Sequence, residues 1–348
     1  MNQPNQIRPG EELPISLLSD YFIQQGLTSS PIISYAQFPG GYSNLTYQLE
    51  MKEGLWILRK GPKGAEKIKR GHDMVREANV LNQLHAAGFT QVPRVIHVCD
   101  LPEILGSPFY LMQRVEGMIY RAGFRSIPPP STMRLLSERL GDTLVKLHSL
   151  DLQSTGLISL GKPEGFMERQ VDGWTHRFEV AQTEPLESME VLSAWLKNHI
   201  PPPQKPVLLH NDFKYDNVIF GQDFQVNAVL DWEMATVGEP LLDVGVALSY
   251  WSQTTDSDFE KAFNITWWPG NFSRSDWAQY YADRSGRDIQ HLPYYYAFGL
   301  FKNAVVMQQI FARYQAGLTT DPRFASLGAG VRQFSERGIQ VLEKGRID

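Results

Sequence analysis

The sequence contains a single cysteine and no long apolar or basic run, and each shortage excludes a class of protein. Cys99 alone cannot form an intramolecular disulfide, which favours a reducing compartment. No stretch approaches the roughly 18 apolar residues of a membrane span, and residues 1–20 lack the basic and apolar regions of a secretory signal. We therefore expect a cytoplasmic protein without a membrane partner.

Charge is too evenly distributed for a nucleic-acid-binding protein. The 348 residues include 33 Lys and Arg against 38 Asp and Glu, which gives a net charge of -5. The basic segment of residues 60–76 is interrupted by Glu66 and Asp73, so we expect no nucleic-acid partner. The apolar fraction of 42% is enough for a sizeable core, and the length predicts two domains or one domain with two lobes.

Apolar periodicity changes along the chain. Strand patterns dominate before residue 112, and helical spacing dominates after residue 131. Helices are predicted over residues 13–25, 72–84, 131–149 and 189–199. The sequence thus predicts an α+β protein with a smaller β-rich part followed by a larger helical part.

One loop has the residue order of a kinase catalytic loop. Asp212 follows His210 by two residues and precedes Asn217 by five, and Asp231 ends an apolar, alternating segment. In this chemistry Asp212 accepts the proton of the substrate hydroxyl, while Asn217 and Asp231 hold Mg²⁺ against the nucleotide phosphates. His-x-Asp is common by chance, and Asp and Asn are ordinary turn residues. A strand–turn–strand pattern follows this loop and brings Asp231 back toward Asn217, which favours a catalytic role. Residues 210–217 are called the catalytic loop below.

The loop resembles that of the aminoglycoside phosphotransferase and choline kinase superfamily. Asn211 and Trp232-Glu233 stand where protein kinases have Arg and Phe-Gly, and the strings D-F-G and A-P-E are absent. Residues 238–244, Gly-Glu-Pro-Leu-Leu-Asp-Val, match the same superfamily. The resemblance implies a bilobal, protein-kinase-like fold. It implies a nucleotide-binding N-lobe of residues 1–115 and a C-lobe of residues 116–348 with the catalytic loop, metal site and substrate pocket.

Two further segments are candidates for nucleotide binding. Gly40 and Gly41 lie between strand patterns, which by itself is also typical of an ordinary glycine hairpin. The resemblance implies that Gly40, Gly41, Ser43 and Asn44 form the loop that covers the nucleotide. Residues 112–117 resemble the hinge that joins the two lobes in this superfamily. The resemblance implies that backbone groups of Gln113 and Val115 hold adenine.

A cation is needed at the inner end of the third strand to bind the α- and β-phosphates. Alternation places Arg59 on one face of this strand and Lys60 on the other. We expect Arg59 to bind phosphate, with Lys60 as the alternative, and Glu77 to orient the cation from the following helix. An exposed cation at a strand end is the simpler interpretation.

Asp243 is a carboxylate in an otherwise apolar segment. Because a buried charge needs donors, we expect it to accept backbone N–H groups near the catalytic loop. The aromatic residues of the segment 250–277 are predicted either to line an apolar substrate pocket or to fill the core.

The C-terminal third resembles a subgroup of the superfamily. Residues 281–288, 293–295, 310–314 and 317–323 are similar to the phosphotransferase domain fused to acyl-CoA dehydrogenases in animals. The resemblance implies ATP- and Mg-dependent transfer of the γ-phosphate to the hydroxyl of a hydroxy acid or hydroxyacyl-CoA. The alternatives are an aminoglycoside or amino-alcohol (choline-like) kinase and a non-catalytic nucleotide-binding module. Three points stay open: whether Glu233 binds a second metal ion, the oligomeric state, and the choice between ATP and GTP.

Overall fold

The computed structural model describes residues 4–39, 44–62, 73–124, 126–319 and 321–348. The chain forms two compact units. The first comprises Met1–Ile119 and Asn217–Met234, and the second comprises Tyr120–Asp216 and Ala235–Asp348. Strands dominate the first unit and helices the second, which confirms the predicted α+β class.

A five-stranded antiparallel sheet organises the first unit, in the order β1-β2-β3-β5-β4. Its strands are β1 (Ser34–Gln37), β2 (Leu45–Met51), β3 (Gly54–Lys60), β4 (Val95–Cys99) and β5 (Phe109–Gln113). The helices are α1 (Ile15–Gln24), α2 (Met74–Ala86) and α3 (Pro102–Leu105). The hairpin β7 (Val218–Phe220) and β8 (Val226–Val229) completes the unit.

Sequence periodicity explains how this sheet is covered. Alternate residues of β2, among them Tyr47 and Leu49, are buried in a core with Leu18 and Phe22 of α1. The second half of β3 is buried on both faces. Helix α2 packs against β4 and β5 and carries Glu77 on its buried face. The sheet and α2 therefore hold the carboxylate of Glu77 and the two cations of β3 away from water.

The second unit is mostly helical. Its helices are α4 (Pro130–His148), α5 (Phe166–Ala181), α6 (Glu187–Asn198), α7 (Pro240–Ser249), α8 (Asp258–Lys261), α9 (Arg274–Ser285), α10 (Leu292–Gln315) and α11 (Leu327–Lys344). The strands β6 (Val207–Leu209) and β9 (Thr236–Gly238) pair antiparallel. Gly238 at the end of β9 pairs with Val207 at the start of β6, so α7 begins beside the start of β6. The catalytic loop follows the other end of β6. In the described part of the chain, no helix combines the length and apolarity needed to cross a membrane.

Aromatic residues of the segment 250–277 fill the core of the second unit. Trp251 and Trp277 are buried with ring centroids 5.0 Å apart, and Trp268 is also buried. The indole N–H of Trp251 donates to Phe272 O at 2.9 Å, and that of Trp277 donates to a backbone carbonyl of α4 at 3.1 Å. For these three rings, the core interpretation is confirmed.

Two glycines allow α7 and α10 to approach closely. A Cβ on Gly245 would collide with the backbone of Tyr295, and a Cβ on Gly299 would lie 2.6 Å from Gly245 O. The contact fixes α7, and with it Asp243, against the longest helix of the unit.

We expect Gly299→Ala to destabilise the protein by about 1–3 kcal/mol, because the added methyl group must separate two packed backbones. Gly173→Ala is the matched control, since Gly173 lies in α5 with nothing near its Cβ position. The control should stabilise by about 0.5–1 kcal/mol through helix propensity. Urea unfolding measures both, and equal midpoints for the two variants would contradict the close contact.

Candidate functional site

The first residues of the catalytic loop are hydrogen-bonded to a buried carboxylate of the second unit. Asp243 lies in the first turn of α7 and is fully buried. Its Oδ2 accepts the backbone N–H of His210 and its Oδ1 accepts that of Asn211, both at 2.7 Å. Burial alone would raise the pKa of Asp243, but His148, 3.3 Å away, and the loop donors hold it below its usual range. The predicted structural role of Asp243 is therefore confirmed.

Asn211 adopts a left-handed backbone conformation, with φ of 65°. Asn adopts this conformation more readily than most residues other than glycine, and its neighbours stabilise it here. Here Asp243 binds the N–H of Asn211, and Lys302 Nζ on α10 donates to its carbonyl at 2.6 Å. Both sides of the residue before Asp212 are thus held by buried charges.

Asp212 lies among cations of the second unit. Lys214 Nζ is 2.9 Å from its Oδ1, and the Lys214 ammonium also lies 4.3 Å from the centroid of the Tyr250 ring. Burial opposes ionisation of Asp212, but Lys214, Lys302 and His210 together lower its pKa below the usual value. The same pairing raises the pKa of Lys214. Asp212 is therefore ionised at neutral pH and able to accept a proton.

Sequence reasoning did not single out Lys214 or Lys302. The position of Lys214 two residues after Asp212 is a signal that could have found it, because a cation so close in a tight loop must influence that carboxylate. Lys302 lies 91 residues from Asn211 in the chain, in a helix whose periodicity does not reveal this contact.

In the first unit, Arg59 lies between two carboxylates. Its Nη1 is 3.4 Å from Glu77 Oε1, and its Nη2 donates to Asp231 Oδ1 at 3.1 Å. Glu77 also accepts the backbone N–H of Trp232 at 3.3 Å. Burial and the charge of Asp231 raise the pKa of Glu77, while Arg59 opposes that rise. The guanidinium is thus directed by Glu77 toward the carboxylate predicted to bind metal.

Lys60 is hydrogen-bonded at a different place in the first unit. Its Nζ donates to the carbonyl of Leu105 at 2.8 Å. Because adjacent residues of a strand point to opposite faces, Arg59 and Lys60 cannot both reach Asp231. Arg59 is the residue of the two that the structure places with Glu77 and Asp231.

Asn217 and Asp231 are brought together by the hairpin of β7 and β8. The N–H of Leu230 donates to Asn217 O at 2.8 Å, so Asp231 follows a residue bound to Asn217. Asp231 has a φ of 68°, and about a third of its side chain is exposed (34%). Among the described residues, no three or more His, Cys, Asp or Glu are grouped to hold a metal. One accessible carboxylate and one amide oxygen nevertheless suit Mg²⁺, which retains waters and binds substrate phosphates.

The predicted nucleotide loop is only partly described. Gly40, Gly41 and Ser43 lie outside the described residues. Asn44 is buried, and its Nδ2 donates to Glu233 Oε2 at 2.8 Å. The carbonyl of Glu233 accepts from Arg76 Nη1 at 3.1 Å. A role for Glu233 toward a second ion stays a prediction.

The hinge candidates lie at the end of β5. Gln113 is exposed, and its N–H donates to Arg94 O at 2.8 Å, whereas Val115 is half-buried. Met118 exchanges backbone hydrogen bonds with Phe220 of β7. This bridge connects the segment after the hinge to the hairpin that carries Asp231. The binding of adenine by Gln113 and Val115 stays a prediction.

Comparison with known proteins identifies the family. Residues 34–281 match the phosphotransferase enzyme family. The chain belongs to this family. Membership confirms the family and the phosphotransferase class predicted from the catalytic loop.

Individual members of the family are similar over most of this chain. Acyl-CoA dehydrogenase family member 10 of Mus musculus is 33% identical over 303 residues, which cover 84% of this chain and 28% of that relative. This similarity confirms the predicted subgroup. The chain spans less than half the length of the curated relatives that it matches.

Solved structures confirm the kinase-like aminoglycoside phosphotransferase fold. A candidate aminoglycoside phosphotransferase from Ralstonia eutropha is 26% identical with a TM-score of 0.79, and the match covers 96% of this chain and 99% of that one. A spectinomycin phosphotransferase in complex with ADP and spectinomycin is 13% identical with a TM-score of 0.56, and the match covers 97% and 99%. The second match bears on the fold alone.

We expect Asp243→Asn to destabilise the protein by about 1–3 kcal/mol, because the new amide group must face a backbone N–H and leave it without an acceptor. Asp283→Asn, on an exposed position of α9, is the control and should change stability by less than about 0.5 kcal/mol. Urea unfolding gives both values. An Asp243→Asn variant as stable as the control would show that the two loop hydrogen bonds contribute little.

Proposed function

We propose that this chain is an ATP- and Mg-dependent kinase that transfers the γ-phosphate to the hydroxyl of a small molecule. The observation that carries the proposal is the placement of Asp212. Its carboxylate lies 2.9 Å from Lys214 Nζ, in a loop whose preceding residue is fixed on both sides. In this role Asp212 orients the acceptor hydroxyl and takes its proton as the oxygen attacks phosphorus.

The first unit would bind the nucleotide. Arg59 presents its Nη2 toward Asp231 and is oriented by Glu77, which suits a cation that binds phosphate oxygens. Asn217 and Asp231 would hold Mg²⁺, which when bound neutralises phosphate charge. Membership of the phosphotransferase enzyme family supports the use of a nucleotide as phosphate donor.

The acceptor is proposed to be a hydroxy acid or a hydroxyacyl-CoA. Two observations support an anionic acceptor. Lys214 and Lys302 both act on Asp212, so this carboxylate is less attractive to a polycationic aminoglycoside than an unpaired one would be. The similarity to an acyl-CoA dehydrogenase family member points to acyl substrates. The aromatic segment 250–277 adds little support, because Trp251 and Trp277 are core residues.

We expect Arg59→Met to raise the KM for ATP and to lower kcat by about tenfold or more, because a charge-assisted contact to phosphate contributes roughly 1.5–3 kcal/mol. Lys60→Met is the matched control. It removes the hydrogen bond to Leu105 and should cost stability while leaving both kinetic constants unchanged. The reverse outcome, with the kinetic loss in Lys60→Met alone, would show that Lys60 is the phosphate-binding cation.

The acceptor is tested with purified protein and Mg-ATP on hydroxy acids, their CoA thioesters, choline, homoserine and kanamycin. We expect the highest kcat/KM for an anionic hydroxyacyl compound and no turnover by Asp212→Asn. A clear preference for kanamycin or choline would overturn the proposed acceptor. Turnover by Asp212→Asn at the wild-type rate would overturn the assignment of the base.

A further inference from the structure

A buried lysine lies behind the catalytic loop. Lys302 is in the middle of α10 and is 4% exposed. Its Nζ donates to the carbonyl of Asn211 at 2.6 Å and lies 5.6 Å from the centroid of the Trp174 ring on α5. The amine therefore binds the residue immediately before Asp212 and is enclosed by the helices of the second unit.

The surroundings of Lys302 only partly compensate its charge. A buried ammonium is unfavourable unless donors and charges around it are satisfied. Asp212 in the loop and Asp243 on α7 favour the charged form, whereas Lys214 in the loop and Arg177 on α5 oppose it. Burial is the largest influence and lowers the pKa of Lys302 to about 8. The amine is thus mainly protonated at neutral pH and mainly neutral in mildly alkaline solution.

We propose that Lys302 is a positioning residue that holds the catalytic loop by the Asn211 carbonyl, and that loss of its proton releases the loop and stops phosphoryl transfer at alkaline pH. Asp243 binds the N–H of Asn211 from α7, while Lys302 binds the carbonyl of the same residue from α10. The left-handed conformation of Asn211 depends on both contacts. A neutral amine is a weaker donor, so its hold on the Asn211 carbonyl is weaker.

This inference rests on the proposed function for its kinetic part. A misplacement of the loop by about 1 Å can cost roughly a hundredfold in rate, so a modest loss of anchoring is measurable. We expect Lys302→Met to lower kcat by about tenfold or more with an unchanged KM for ATP, because the proposed nucleotide contacts are made by other residues. Lys302→Arg keeps a positive charge up to about pH 12, so it should recover most of kcat. For the same reason it should lack the decline of kcat that we expect in the wild type above about pH 8.

Lys197→Met is the control for removal of a lysine. Lys197 is exposed on α6 and binds Asp172 at 2.8 Å. Its substitution should leave kcat and the alkaline decline as in the wild type. If Lys302→Met keeps both the wild-type kcat and the decline, the proposal is wrong. Failure of Lys302→Met to fold at neutral pH would also overturn it, because the amine would then be required by the core rather than by the loop.

Two measurements separate this inference from the proposed function, since neither uses turnover. Hydrogen–deuterium exchange in the peptide of residues 207–216 should speed up in Lys302→Met, with α4 and α9 unchanged. The second measurement is the free energy of unfolding against pH. The folded protein holds the Lys302 proton less tightly than the unfolded chain, so stability should rise from about pH 8 to 10.5 in the wild type relative to Lys302→Met. Unchanged exchange in the loop, or parallel pH profiles, would contradict the inference even in an active kinase.

Discussion

The structure of the catalytic loop depends on one buried carboxylate. Asp243 accepts two consecutive backbone N–H groups, an arrangement possible only if the start of α7 lies beside the end of β6. The antiparallel pairing of β6 with β9 starts α7 beside Val207, and the first turn of α7 places Asp243 at the loop. The contact between Gly245 and Gly299 fixes α7 on α10. A small displacement of either helix would leave a charge and two N–H groups buried without partners, which is far more costly than a lost apolar contact. The position of the loop is therefore set by the packing of the whole unit.

The charge pattern around Asp212 is consistent with the proposed chemistry. Two lysines lower the pKa of this carboxylate, which makes it a weak base. A weak base suits phosphoryl transfer through a loose transition state. In such a transition state the acceptor oxygen has formed little bond to phosphorus, so its proton has not yet become acidic and a strong base is not needed. Catalysis then depends on orientation and on stabilisation of phosphate charge rather than on base strength. Cations close to the base are an advantage under these conditions, although they would impair an enzyme that removes a proton in its difficult step.

Local patterns in the sequence predicted much of this arrangement. Helical spacing located α2 and α4 to within about two residues, and the rule that buried charges need donors predicted the role of Asp243. Alternation in β3 separated Arg59 from Lys60 but could not decide between them, because that half of the strand is buried on both faces. The contact of Lys302 with Asn211 was not predicted, since it joins distant parts of the chain through the packing of α10. Contacts of this kind depend on tertiary structure and leave no local pattern.

Backbone strain and buried charge coincide in both units. Among the described residues, the non-glycine residues with positive φ are Asn211, Phe224 and Asp231. Phe224 lies in the turn between β7 and β8, and as a bulky residue it departs further from its usual backbone conformation than Asn211 or Asp231 does. Asn211 is held by the buried charges of Asp243 and Lys302. Asp231 is partly exposed and is paired with the buried guanidinium of Arg59. Each feature alone costs stability, and apolar residues in relaxed conformations would fold more favourably. Departures of this kind are expected at functional sites, and here they lie beside Asp212 in one unit and at the proposed metal ligand in the other.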